Sequence, residues 1–477
     1  MAKYFYENGF KWIGAETMDG ATEILVSSVR GASKAYNINK NGVHLALQWG
    51  NFPHDTEQRY KRYLLSLYVP YMHGITDINT EEGLWFIEAI YAYFNRISDV
   101  CERHRQRARK FNKFIRTHSR TGEFYTPIAF LQGRMDGWNG FGGLGLWGMP
   151  SMPYGEESES WKVASVFYPN NAIRGNGCSK TGCIPADTTK PVGIFSGTPY
   201  GSVDIVPVEK GAWSDYGVLI FAGYNKAEKE DMDRVFDYVQ SGGTLICAWP
   251  HFSDTTLKKD IDEYNLSFIE HKIVSALCKG KPEFADDNNI KICTNVVDCE
   301  VLKATENGNP LVCNIPCGSG KIVLVNSLYY PGNEHILDLY KEVVATESAK
   351  VLDKEPVRIE CGDDVEYTVF KQNDGTRHYY FTAVDWYNDS SEKRCAKMII
   401  DGKSYTVSMS FGDIVKVVTD GKTAIWPECD GCEVLSLDGD SFTAQGWGVQ
   451  KFNVAGNGSI KALNIDFTDG LVRKEML

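Results

Sequence analysis

Hydrophobic and polar positions fall into three successive patterns along the chain. In the first, short apolar runs alternate with stretches of helical spacing. Residues 10–15 read as a strand closed by Glu16, and 22–36 put Ile24, Leu25, Val29 and Ala32 on one helical face. Residues 43–49 form a second strand, 57–72 a Leu- and Tyr-rich helix, 75–79 a third strand, 88–118 a long helix and 126–131 a fourth strand. Four strand–helix steps in a row imply parallel strands with right-handed crossovers. They amount to half of an eight-stranded barrel.

Between Gln132 and Pro169 the periodicity stops. The segment is too aromatic for a flexible linker, and a long loop of this kind is more often functional than idle. A second α/β pattern follows, with strands at 191–195, 203–208, 216–223, 244–250 and 321–326 and helices at 226–240 and 333–344. It is flavodoxin-like, in the manner of class I amidotransferases. No Cys–His–Glu set or glycine-rich phosphate loop accompanies it. From about Glu355 the pattern is all β, with runs such as 365–370, 379–384, 398–400 and 414–418 separated by Asn-Asp-Gly and Asp-Gly turns. Short strands at such spacing predict a sandwich. The expected division is 1–170 for the partial barrel (its last four βα units) with the aromatic loop, 171–352 for the middle α/β domain and 353–477 for the β-sandwich.

Composition narrows the function classes. The 477 residues carry 50 basic and 62 acidic side chains, a net charge of −12. This argues against nucleic acid or an anionic membrane as a main partner. The basic run Arg103, Arg105, Arg107, Arg109 and Lys110 then reads as the solvated face of a helix. The 13 cysteines are scattered, and Cys429–Cys432 is a lone CxxC. Without a second pair they predict free or buried thiols and no metal site, in a reducing compartment. No signal peptide or membrane span is visible, so a cytoplasmic location is expected. No cofactor motif is present.

The stretch 71–85 concentrates the candidate chemistry. The third strand leads into Thr80-Glu81-Glu82-Gly83, with Trp85 as a platform for a sugar ring. A carboxylate past the C-terminal end of a strand is where α/β barrels put their chemistry. Successive strand residues point to opposite faces, so one of Glu81 and Glu82 at most faces a given cleft. Glu16 is the other strand-ending carboxylate. Trp49, Asn79, Arg134, Asp136 and Trp138 complete the candidate sugar-contacting set. The bland alternatives are a surface Glu pair opening a helix and a loop whose tryptophans fill a gap between domains.

The order of parts resembles the C-terminal part of a clan-A glycoside hydrolase with a β-galactosidase-type trimerisation domain. The half barrel, the passage Phe195-Ser-Gly-Thr-Pro-Tyr-Gly-Ser-Val-Asp-Ile-Val-Pro207, the strand at Tyr216 and the terminal β domain carry the likeness. The resemblance implies a retaining O-glycosidase acting on an oligo- or polysaccharide with β-linked sugars, assembled as a homotrimer. Its nucleophile would be a glutamate at the end of the seventh barrel strand and its acid/base one at the end of the fourth. If residues 126–131 are strand eight, 75–79 are strand seven and Glu81 or Glu82 matches the nucleophile. The acid/base strand would then precede Met1, on a separate N-terminal barrel half. The alternative is a non-catalytic carbohydrate-binding or assembly subunit derived from such an enzyme.

Overall fold

The computed structural model describes residues 2–17, 21–47, 56–80, 90–91, 96–97, 99–118, 120–134, 136, 156–171, 193–255, 266–388, 391–429, 431–468 and 471–477. The chain opens with three strands, β1 (Gly14–Thr17), β2 (Gly42–Leu45) and β3 (Asp77–Thr80), paired in parallel in the order β1-β2-β3. Helix α1 (Thr22–Ala35) connects the first two and α2 (Glu57–Met72) the next two. The Thr56 hydroxyl caps α2 by accepting from the Arg59 N–H at 3.3 Å, which satisfies one of the helix's unpaired N–H groups. Both helices cover one face of the sheet, where Val43, Leu45 and Ile75 join Val26, Val29, Leu64 and Leu67 in one core. The predicted helix over 88–118 is shorter, α3 (Asp99–Thr117), with a two-residue hairpin described ahead of it.

The fourth predicted strand has another place. After β4 (Glu123–Tyr125) comes β5 (Ile128–Gln132), which lies between two strands of the second α/β unit. That unit's strands are β6 (Asp204–Pro207), β7 (Val218–Phe221), β8 (Thr244–Ala248), β9 (Glu300–Ala304), β10 (Pro310–Cys317) and β11 (Gly320–Val325). Their order with β5 is β9-β10-β11-β8-β7-β5-β6. The assignment of residues 126–131 to the first parallel sheet is therefore corrected. Ile128 to Leu131 are each fully buried. A strand covered on both faces shows the same unbroken apolar run in either sheet, so its pattern does not choose its neighbours.

Helices α4 (Lys229–Gln240) and α5 (Leu337–Leu352) flank the seven-stranded sheet, giving it a core on each face. Strands β9 and β10 come from the stretch between 250 and 320, where the sequence pattern is irregular. Their antiparallel hairpin extends the edge of the sheet beyond its parallel centre.

The C-terminal part is antiparallel. A seven-stranded sheet includes β13 (Val365–Lys371) and β14 (Arg377–Ala383), and β4 from the first third of the chain pairs onto its β13 edge. A three-stranded sheet beginning with β12 (Val357–Glu360) shares a core with it, through Ile359, Met398 and Val407 on one side and Tyr367, Phe381 and Val417 on the other.

Residues before 170 thus enter four of the described sheets, one of them the small hairpin ahead of α3. The three units are also tied by close backbone contact. A Cβ on Gly31 in α1 would lie 2.2 Å from the Ile205 carbonyl oxygen of β6, so only glycine allows this approach.

Candidate functional site

Register in the first sheet builds a polar row. Glu16, His44 and Asn79 are direct neighbours across β1, β2 and β3. Residues in register on parallel strands point the same way, so the three side chains share one face, with strands about 4.8 Å apart. It is the face opposite the one bearing Val43 and Leu45, which pack under α1 and α2. Glu16 and Asn79 are exposed and His44 is half-buried. Asp77 lies on the same face, one step toward the N-terminal end of β3. Its carboxylate pairs with Lys40 at 3.1 Å and accepts from the Thr76 hydroxyl at 2.9 Å. The Lys40 ammonium sits 4.6 Å from the centre of the Trp12 ring, which is 42% exposed. The face therefore offers a carboxylate, an imidazole, an amide and an aromatic plane beside a charge pair. That mixture can hydrogen-bond sugar hydroxyls and stack on a ring.

Other predicted residues lie elsewhere or outside the described residues. Glu81, Glu82, Trp49, Trp85 and Trp138 belong to the latter. Arg134 and Asp136 follow β5 into the second sheet and do not join the Glu16–His44–Asn79 row. Arg134 pairs with Asp231 of α4 through Nε and Nη2, at 2.9 and 3.0 Å. Asp136 is buried and accepts from the Trp161 indole at 3.2 Å. Both are committed to packing around the second sheet.

A second cluster escaped the sequence reading. Where the three units meet, Glu23 and Arg30 of α1, His73, Asp204 of β6 and Glu366 of β13 are all buried. Arg30 donates to Asp204 at 2.6 Å, to the Val203 carbonyl at 2.6 Å, and to the His73 carbonyl and Nδ1 at 3.1 Å each. Since His73 Nδ1 accepts, Nε2 carries the proton and donates to Glu366. Burial, reinforced by Arg30, holds His73 well below the usual imidazole range. Burial also raises Glu366 well above the carboxylate range, with the nearby Glu23 adding to it. Burial lifts Glu23 to about 7, against the opposing effect of hydrogen bonds from Asn171 Nδ2 (2.7 Å) and the Ser196 N–H (3.0 Å). These contacts satisfy most of the cluster's polar atoms, with Glu366 Oε2 buried and without a hydrogen-bond partner, and its chemistry is that of a joint between units. Its sequence signal is faint: Glu23 and Arg30 are seven residues apart, hence on one face of α1, beside the apolar stripe.

Among the described residues no group of three or more His, Cys, Asp or Glu is placed to hold a metal ion, and the described cysteines are free thiols. No described helix is long and apolar enough to cross a membrane.

No family model matches the chain, and no curated protein matches it in sequence. Solved structures do match in fold. Gan42B, a GH42 β-galactosidase from G. stearothermophilus, aligns with a TM-score of 0.50 and 12% identity, covering 88% of this chain and 60% of its own. A cold-adapted β-galactosidase from Rahnella sp. R3 aligns with a TM-score of 0.47 and 10% identity, covering 87% and 61%. The chain thus spans about three fifths of the length of the structures it matches. It has a mixed α/β fold of the glycoside-hydrolase kind.

Proposed function

We propose that this chain is a carbohydrate-binding protein derived from β-galactosidase-type glycoside hydrolases, and that it recognises a β-linked sugar on the Glu16–His44–Asn79 face without hydrolysing it. In this reading β1–β3 are the last strands of a barrel. The observation that carries the proposal is the place of β5 in the second sheet. With β5 removed from the count, β3 becomes the eighth strand and β2 the seventh. The resemblance expects a nucleophilic glutamate at the end of the seventh strand. In the sequence β2 is followed by Ala46-Leu47-Gln48-Trp49. A glutamine neither attacks an anomeric carbon nor supplies the negative charge that stabilises its positive transition state. It retains the hydrogen-bonding capacity that binding requires.

The remaining carboxylates on the face do not replace it. A retaining pair stands about 5–5.5 Å apart. Glu16 and Asp77 are separated by two strand spacings and two residues, roughly 12 Å between Cα positions on ordinary sheet dimensions. Asp77 is also held by Lys40. Assembly as a trimer through the second α/β unit belongs to the same proposal, and sedimentation velocity measures it directly.

The competing reading is a retaining hydrolase that uses Glu81 or Glu82 with Glu16. It is favoured by the exposed Glu16 carboxylate on the face and by the position of the Glu pair directly after β3 in sequence. Nitrophenyl glycosides of the common β-linked sugars separate the two. Expected are titratable binding of methyl β-glycosides, weakened about tenfold by Glu16→Gln or Asn79→Ala, and no turnover above background. Turnover abolished by Glu81→Gln or Glu82→Gln would overturn the binding reading in favour of the hydrolase.

A further inference from the structure

The Cys429–Cys432 pair that stands out in the sequence sits where the chain crosses between two sheets. Strand β15 (Ala424–Pro427) belongs to the seven-stranded C-terminal sheet, and β16 (Glu433–Asp438) to a separate three-stranded one. The two sheets share a core that includes Ile425, Val434, Phe442 and Phe452. Cys429 and Cys432 lie in the connection from β15 to β16, with their sulfurs 3.7 Å apart. We infer that this pair is a site of thiol–disulfide exchange. Cys429 takes up a low-molecular-weight disulfide, Cys432 displaces it, and the bond that results clasps the crossing between the sheets.

The two thiols differ in the way that exchange requires. Cys429 is exposed, whereas Cys432 is buried. An incoming disulfide therefore meets Cys429 first. Cys432 is held from behind. A Cβ on Gly446 would lie 2.9 Å from the Cys432 Cβ and 3.1 Å from the Phe467 ring, so a glycine there makes room for both. Gly431, beside Cys432 in the connection, has φ of +102°, a value that glycine alone adopts freely. The sulfurs are in van der Waals contact. Closing them to the bonded separation of about 2.0 Å asks for a movement of less than about 2 Å, which the exposed partner can supply. The half-buried Gln450 faces both. Its amide oxygen accepts from the Cys429 thiol at 2.8 Å and lies 3.9 Å from the Cys432 sulfur. Among the described residues no further His, Cys, Asp or Glu joins the pair in a metal-holding group, so exchange is the chemistry these two thiols support.

In the first step the Cys429 thiolate attacks one sulfur of a disulfide R–S–S–R. A mixed disulfide forms on Cys429 and one R–S⁻ leaves. In the second step the Cys432 thiolate attacks the Cys429 sulfur, closing the internal bond and releasing the other R–S⁻. The protein pair loses two electrons and two protons; the small disulfide gains both and becomes two thiols. Cys395 is the other exposed thiol among the described residues, and it meets the Ser408 hydroxyl at 3.3 Å where Cys429 meets a second sulfur. Its reaction therefore stops at the first step.

The test is incubation of the reduced full chain with glutathione disulfide, raised until Cys395 is modified, followed by peptide mass mapping. Residues 423–451 contain no internal lysine or arginine, so trypsin releases both cysteines on one peptide. Expected is that peptide lighter by two hydrogen atoms, with glutathione on Cys429 below about a tenth of its level on Cys395. Cys432→Ser should instead keep glutathione on Cys429, and Cys429→Ser should leave Cys432 unmodified. The oxidised wild type should melt a few degrees above its reduced form, a shift absent from Cys432→Ser. Glutathione persisting on wild-type Cys429, or no reaction there while Cys395 is modified, overturns the site. Equal melting points of the oxidised and reduced wild type overturn the clasp. The wild-type map decides by itself if Cys432→Ser does not fold.

Discussion

Replacing Glu23 by glutamine tests the account of the buried joint. Glu23 is fully buried on α1, with its oxygens facing the Asn171 amide and the Ser196 N–H. Its carboxyl moves from an ordinary value of 4.5 to about 7 in the fold, chiefly through burial. An acid whose value is raised on folding binds a proton in the folded state that the unfolded state has lost. Stability from this group is therefore complete below pH 4.5 and disappears as pH rises toward about 7. At about 1.4 kcal/mol for each pH unit of separation, the loss is about 3 kcal/mol. Glu366 shifts in the same direction and is itself raised by the nearby Glu23, so the two titrate jointly and the figure belongs to the pair. Glutamine has the same shape and no charge. One of its two polar atoms is a donor, and Asn171 can meet it by turning its amide, because its Oδ1 has no partner in the native arrangement. Glu23→Gln should therefore flatten the pH dependence and leave the acid-side stability near that of wild type. Calorimetric melts at about pH 5 and about pH 8 measure this. On a cooperative unit of about 200 residues, 3 kcal/mol corresponds to roughly 6–12 °C, so the wild-type melting point should fall between the two pH values by that much more than the variant's. Parallel pH profiles would refute the argument, as would a variant destabilised equally at both values.

Three further outcomes follow from the packing. Gly31→Ala should cost several kcal/mol, about the upper range for overpacking, because its Cβ meets backbone at Ile205 and not a movable side chain; the melting transition of the first two units reports it. Lys416→Met should lose about 3–5 kcal/mol by leaving the buried Glu433 carboxylate, 3.4 Å away, with the Gln445 amide but without its cation, while adding Glu433→Leu should recover much of it; denaturant unfolding of the single and double variants measures the coupling. Burial holds His251 at about 4, and its Nδ1 accepts from the Ala248 N–H at 3.0 Å. A basic group lowered in this way is neutral in both states above its ordinary value of 6.5 and loses stability as pH falls from there to about 4. Its ring proton resonances should accordingly stay unshifted from about pH 8 down to about pH 5, and a mid-range titration would contradict the burial seen here.

What the sequence discloses and what it withholds divide along a physical line. Strand existence is local: alternation, apolar runs and turn glycines at positions such as Gly74, with φ of +84°, are enough to find β2, β3 and β5, whereas the first strand, expected over 10–15 and closed by Glu16, is Gly14–Thr17 with Glu16 inside it. Sheet membership is not local. β5 is chosen by pairing with β6, more than 70 positions later, and by Gly133, where a Cβ would lie 2.0 Å from the Tyr224 carbonyl; neither leaves a mark on the apolar run itself. The joint hides for a related reason. Glu23, Arg30, Asp204 and Glu366 look like ordinary charged positions until folding brings three distant segments together and removes water from them. The consequence reaches function. If β1–β3 are read as barrel strands, as proposed above, moving one strand between sheets shifts the count by one and carries the expected nucleophile position from the Glu81–Glu82 pair to Gln48. The chemical reading of this chain therefore turns on a pairing that no motif announces. Under the binding reading proposed above the expected nucleophile position falls to Gln48, three residues after β2 in the sequence, and aryl glycoside turnover by the wild type and by the Glu81→Gln and Glu82→Gln variants decides between that reading and the hydrolase.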